Sequence, residues 1–148
     1  MNQALKQSIL AHDRLVPRYT SYPTAPHFKA GASPGWYKQR LAAIPDGALV
    51  SLYVHVPFCP KLCWFCGCHT RVTNRYDQVA EYVGLLQKEM SLVLPLLAGR
   101  GLQVSHLHFG GGSPTLLVPD DFKKIVGVLK TDLSFLSDAE IAIEIDPR

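Results

Sequence analysis

Residues 49–56 constrain the chain most, because they alternate strictly in polarity. Leu52, Val54 and Val56 fall on one side, and Ser51, Tyr53 and His55 on the other. Successive side chains of a strand point to opposite faces, so this pattern predicts a strand with one aliphatic and one polar face. Pro57 stops it. A helix is then expected over Arg75–Leu94, where Val79, Tyr82, Val83, Leu86 and Met90 recur at helical spacing. Pro95 and Gly99-Arg100-Gly101 end that helix. Val104–Phe109 reads as a second strand and runs straight into Gly110-Gly111-Gly112. Pro119 suits a first helical turn and Asp120 and Asp121 suit its positive end, so a helix is expected to run on to Leu133. Glu140–Asp146 reads as a third strand, with Ile141, Ile143 and Ile145 on one side and Ala142 and Glu144 on the other.

The order strand, loop, helix, strand, loop, helix, strand implies an α/β fold with a parallel sheet and right-handed crossovers. Ligands gather at the carboxyl ends of strands in such sheets. Here those ends carry all four cysteines, the triple glycine and Glu144–Asp146, so three candidate sites are expected to meet on one rim. Two domains are expected, a leader over 1–47 and the sheet-bearing part over 48–148. Within the leader, residues 1–14 suit a short helix with Leu5, Ile9 and Leu10 on one side. Pro17, Pro23 and Pro26 keep Leu15–Phe28 extended or turning. Trp36–Ile44 suits a short helix closed by Pro45-Asp46-Gly47. No helix follows the third strand, which would leave an exposed edge. The expectation is the N-terminal portion of a longer protein, with a short degenerate relative as the alternative.

At 148 residues, 47% hydrophobic and 18% charged, the chain can bury one ordinary core. No apolar run approaches the ~18 residues of a membrane span. A formal charge of +3 without a Lys/Arg block does not suggest nucleic acid as a partner. The first residues lack the apolar core of a secretory signal, so a cytoplasmic, monomeric protein is expected.

The cysteines stand as Cys59-x3-Cys63-x2-Cys66, followed at once by Gly67 and Cys68. Three thiolates so spaced suit one face of an iron–sulfur cube, leaving one iron open. A closed tetrahedral zinc site is the bland alternative, although zinc ribbons usually pair two separated knuckles. A disulfide framework is disfavoured, because a chain of this size needs no staples.

The triad resembles that of the radical S-adenosylmethionine enzymes, and Gly110-Gly111-Gly112-Ser113-Pro114-Thr115 resembles their glycine motif. The fold thereby implied is the first three strands of a partial (β/α) barrel, truncated, behind an irregular N-terminal leader. Within that superfamily, LYVHVPFCPKLCWFCGCHT, PRYTSYPTA, HFGGGSPT and IEIDPR are similar to the oxygen-independent coproporphyrinogen III oxidases. The resemblance implies a [4Fe-4S] cluster on Cys59, Cys63 and Cys66. It implies S-adenosylmethionine, two per turnover, with Tyr53, Gly111 and Glu144 at the cluster-bound molecule and Phe65, Gly112 and Ser113 bordering the second. Cys68 would be needed for activity without ligating iron. The implied reaction is oxidative decarboxylation of two propionates of coproporphyrinogen III, with an electron donor and an electron acceptor as further partners. Arg18, Arg71 and Arg75 are candidates for the substrate carboxylates, with solvated surface arginine the plainer reading of each. His55, His106 and His108 read as hydrogen-bonded core imidazoles. A haem chaperone on the same scaffold is the rival function, disfavoured by Cys68 and the leader. Anaerobically purified protein is expected to contain iron and acid-labile sulfide by metal analysis; zinc without either would select the tetrahedral site instead.

Overall fold

The computed structural model describes residues 2–13 and 25–147, so most of the proline-rich stretch, Arg18 included, lies outside the described residues. The chain divides into two compact units, Met1–Ser33 and Pro34–Arg148. In the first, helix α1 (Gln3–His12) starts at Asn2, whose side chain accepts a hydrogen bond from the Ala4 amide at 2.9 Å. That bond satisfies one of the donors a helix start leaves unpaired. Leu5, Ile9 and Leu10 are all exposed. A single 3₁₀ turn follows at Ala25–His27.

The second unit opens with α2 (Pro34–Ala42), which begins two residues before the expected Trp36 because proline is itself a good first helical residue. Arg100 closes its far end. The guanidinium donates to the carbonyls of Leu41 (2.8 Å), Ala42 (3.2 Å) and Ile44, and to Asp46 Oδ1 at 2.8 Å. Helix ends leave carbonyls without partners, and one five-donor fork meets several at once.

Strand β1 (Leu49–Val56) occupies the expected span. Next come β2 (Phe58–Cys59) and β3 (Arg71–Val72), a short parallel pair that the sequence pattern did not announce. They pinch the cysteine loop at its base, with Arg71 N donating to Pro57 O at 2.8 Å and Thr73 N to Cys59 O at 2.9 Å. Helix α3 (Tyr76–Val93), strand β4 (Gln103–Gly111), helix α4 (Pro119–Asp132) and strand β5 (Ser134–Ile143) complete the unit. All three long strands are parallel in the order β1-β4-β5, an open sheet with β4 in the centre.

One face of this sheet is dry. Val54, Val56, Val104, Leu107 and Phe109 join a buried cluster with Val79, Val83 and Met90 of α3 and Ile125 and Leu129 of α4. Phe109 is fully buried, with its ring 4.7 Å from that of Phe122. Each large side chain so buried contributes about 1.5–3 kcal/mol. The other face carries Ser51, Tyr53, His55, His106 and His108, all exposed or half-buried. The strand histidines are therefore hydrogen-bonded but not core, which corrects that part of the sequence reading.

Strand β5 also starts earlier than expected. Val104 pairs with Phe135 and the next pair is His106 with Glu140, so Leu136–Ala139 forms an irregularity opposite Ser105. Regular pairing resumes at Glu140, where the alternation begins, and Glu144 N extends it by donating to Phe109 O at 2.9 Å. Ile141 and Ile143 lie beside Leu107 and Phe109 on the helix side, yet are 50% and 39% exposed. Among the described residues no helix is long and apolar enough to cross a membrane.

At the carboxyl rim, α3 and α4 are joined near their starts. Tyr76 Oη donates to Asp121 Oδ2 at 2.6 Å and accepts from Val118 N at 3.1 Å, and Lys124 Nζ donates to Asp121 Oδ1 at 2.8 Å. Bonding to Lys124, then to Tyr76, holds the buried Asp121 carboxyl below its ordinary range. Asp121→Ala is expected to lower stability by about 1–3 kcal/mol in urea denaturation at neutral pH, since it leaves the Tyr76 hydroxyl without its acceptor. A carboxylate with a depressed native pKa stabilises above its unfolded value of ~3.9, and that stabilisation is lost as pH falls through the native value. The parent should therefore lose more stability below about pH 4 than Asp121→Asn does.

Candidate functional site

Hydrogen bonding does not stop where the strands stop. Gly112 N donates to Val56 O at 2.9 Å and Ser113 N to Phe58 O at 2.7 Å, which ties the glycine loop to the start of the cysteine loop. Glycine is required here by space. A Cβ on Gly112 would lie 2.4 Å from Phe58 O and 2.6 Å from Thr70 Oγ1. At Gly111, φ is +112° and a Cβ would meet His55 Cε1 at 2.6 Å, so both the backbone and the neighbouring ring exclude a side chain.

The four cysteines form no disulfide; Cys59 is buried, Cys63 and Cys66 are half-buried and Cys68 is exposed. All four line a cavity of about 550 Å³ with Phe65, Gly111, Gly112, Ser113 and Glu144. The three expected sites thus meet at one rim. Two hydroxyls point at the buried thiol, Thr70 Oγ1 at 3.3 Å and Ser113 Oγ at 3.6 Å from Cys59 Sγ.

Tyr53 does not line this cavity. It stands on the open sheet face beside it, stacked on His108 with ring centroids 5.7 Å apart and planes 12° from parallel. A Cβ on Gly110 would lie 2.8 Å from both Tyr53 Cε2 and Glu144 Oε1, which shows how closely the two converge. Glu144 accepts from Gly111 N at 3.1 Å through Oε2 and meets His108 Nε2 at 3.1 Å through Oε1. Opposite, His55 Nε2 lies 2.9 Å from the His69 carbonyl, so that nitrogen must donate; Nδ1 then accepts from Tyr53 Oη at 3.0 Å. Partial burial raises the Tyr53 phenol above its ordinary value, and Glu144 and Cys68 add to the rise. Partial burial also raises the Cys68 thiol, with further push from Cys66, Glu144 and Cys59.

Among the described residues no three His, Cys, Asp or Glu side chains draw together closely enough to hold a metal ion. The donor set nonetheless fits an iron–sulfur cluster: three thiols from one eight-residue loop, all lining the same cavity, of the ligand type such clusters use. Of the arginines considered for substrate, Arg71 is exposed and Arg75 pairs with Asp77 at the surface. Asp146, expected at the rim with Glu144, lines the cavity, whereas sequence reasoning assigned no site role to Trp64, Ile145 or Pro147, which also line it, or to the Thr70 hydroxyl. The position of Thr70 just behind the last cysteine was the available signal.

No protein-family model matches the chain. A solved structure of coproporphyrinogen III oxidase from Escherichia coli, described as a radical S-adenosylmethionine enzyme, superposes with a TM-score of 0.79 at 40% identity, covering 96% of this chain and 31% of that one. The chain is thus a homologue, in fold and sequence, of a radical S-adenosylmethionine enzyme. Oxygen-independent coproporphyrinogen III oxidase of Bradyrhizobium diazoefficiens is 48% identical over 133 residues, 90% of this chain and 29% of that protein. The Escherichia coli protein of the same name is 46% identical over 132 residues, 89% of this chain and 28% of that protein. The chain is thus similar to oxygen-independent coproporphyrinogen III oxidases over about nine-tenths of its own length, and it spans under a third of the length of these relatives.

Gly112→Ala is expected to cost about 1–3 kcal/mol by denaturation and to lower the iron bound per chain, because the Phe58 backbone and the Thr70 side chain beside the new methyl must move. Gly67→Ala, whose Cβ would meet nothing within 4 Å, should match the parent in both measurements.

Proposed function

We propose that the chain is the cofactor-binding part of a radical S-adenosylmethionine oxidoreductase that decarboxylates two propionates of coproporphyrinogen III to vinyl groups. The observation that carries this reading is the single cavity shared by Cys59, Cys63, Cys66, the glycine loop and Glu144. Cys59, Cys63 and Cys66 would hold a [4Fe-4S] cluster. Tyr53, Gly111 and Glu144 would hold S-adenosylmethionine beside it, and Phe65, Gly112 and Ser113 would border a second molecule of that cofactor. Once bound, these groups supply the radical chemistry, with an electron donor and a one-electron acceptor completing the balance as each propionate loses a β-hydrogen and carbon dioxide.

The chain's own contribution is positioning. The Glu144 carboxylate, already taking the Gly111 amide on one oxygen, has acceptor capacity left for ribose hydroxyls or an ammonium group. Phe65, largely exposed in the cavity wall, offers a flat apolar face to an adenine ring. Tyr53 is held in one orientation by His55 and His108, so its hydroxyl is presented at a fixed height above the sheet. Cys68, exposed and beside Cys66, is assigned an essential role apart from ligation. In this reading residues 1–47 are a leader and 48–148 a barrel portion. The protein works in the cytoplasm as a monomer, and coproporphyrinogen III turnover needs more than these residues.

Adding S-adenosylmethionine to the anaerobically reconstituted protein is expected to change the electron paramagnetic resonance spectrum of the reduced cluster. Cys63→Ala should abolish both the cluster absorbance and reductive cleavage of the cofactor. A parent spectrum indifferent to the cofactor, or a Cys63→Ala protein that still formed deoxyadenosine, would overturn the assignment.

A further inference from the structure

The three cysteines of the loop are not equivalent in their surroundings. Cys59 alone is buried, at 8% exposure, whereas Cys63 and Cys66 are partly open to water. A thiolate removed from water must find other donors or carry its charge uncompensated. Cys59 has two within reach, the hydroxyls of Thr70 at 3.3 Å and Ser113 at 3.6 Å. They come from different loops. Thr70 sits at the exit of the cysteine loop, where the base is pinned by Arg71 N to Pro57 O, and Ser113 sits beyond the glycines, pinned by its own amide to Phe58 O. Gly112 makes the arrangement possible, since a Cβ there would lie only 2.6 Å from the Thr70 hydroxyl oxygen and crowd it out of position.

We infer that Thr70 and Ser113 set the reduction potential of the cluster by donating hydrogen bonds to the Cys59 sulfur; the inference rests on the cluster reading above. Hydrogen bonds to ligating sulfur are among the determinants of iron–sulfur potentials. They withdraw negative charge, which favours the more negative, reduced state and raises the potential. Because Cys59 is the buried ligand, water cannot stand in for a lost hydroxyl there as it can at the two partly open cysteines. Thr70 and Ser113 are positioning residues in this account: they touch the ligand's sulfur and not the reacting atoms.

The test is a redox titration of the reconstituted protein, followed by electron paramagnetic resonance in the absence of S-adenosylmethionine, so that any role of Ser113 toward the cofactor is not read. Thr70→Val, which keeps the shape and removes the donor, and Ser113→Ala should each titrate at a lower potential than the parent, with the double variant lower still. Thr70→Ser should stay at the parent value. A midpoint does not depend on how much cluster is loaded, so partial loading of a variant leaves the result readable. A loaded parent whose Thr70→Val and Ser113→Ala variants titrate with it overturns the inference alone, as does a Thr70→Ser variant shifted as far as Thr70→Val. A parent that takes up no cluster overturns the reading beneath it and the inference together.

Discussion

Two backbone hydrogen bonds, Gly112 N to Val56 O and Ser113 N to Phe58 O, hold the rest of the site in place. They carry the pairing of β1 with β4 past the ends of both strands, so that two loops remote in sequence leave the sheet as one stitched surface. Parallel strands bring like ends together, and here those ends are the cysteine loop and the glycine loop. Side-chain hydrogen bonds brace the ground around that seam. His55 reaches from β1 to the His69 carbonyl, Glu144 reaches from the third strand to the Gly111 amide, and Tyr76 joins the starts of both helices. The loops are thereby oriented by backbone.

Much of this was legible in the chain because it is written at short range. The alternation of 49–56 names a strand and its two faces, and β1 has that span and those faces. Pro119 with Asp120 and Asp121 marks a helix start, and α4 begins at Pro119. The meeting of cysteines, glycines and Glu144 followed from parallel topology, a rule that needs only the order of elements. Legibility failed where partners lie far apart. Nothing local to Tyr76 points to Asp121, 45 residues on, and nothing local to Arg100 points to the carbonyls that close α2. The histidines misled for a related reason. A strand histidine looks buried when the strand is assumed to be covered on both sides, and this sheet is covered on one.

A register irregularity explains why the third strand was read only from Glu140. Its first two residues pair before the irregularity at Leu136–Ala139, too short a run to show a period. Beyond it the strand alternates cleanly, with Ile141 and Ile143 on the helix side and Ala142 on the other. Period two is visible only where pairing is continuous.

Along β4, Leu107 and Phe109 sit in the dry interior, whereas His106 and His108 look out over the open face toward Glu140 and Glu144. Neighbouring positions of one segment therefore answer to different masters, one to solvent exclusion and the next to the carboxylates above the sheet. Evolutionary drift in such a strand is gated with the same rhythm, since a change tolerated at one residue meets an unrelated kind of selection at the next.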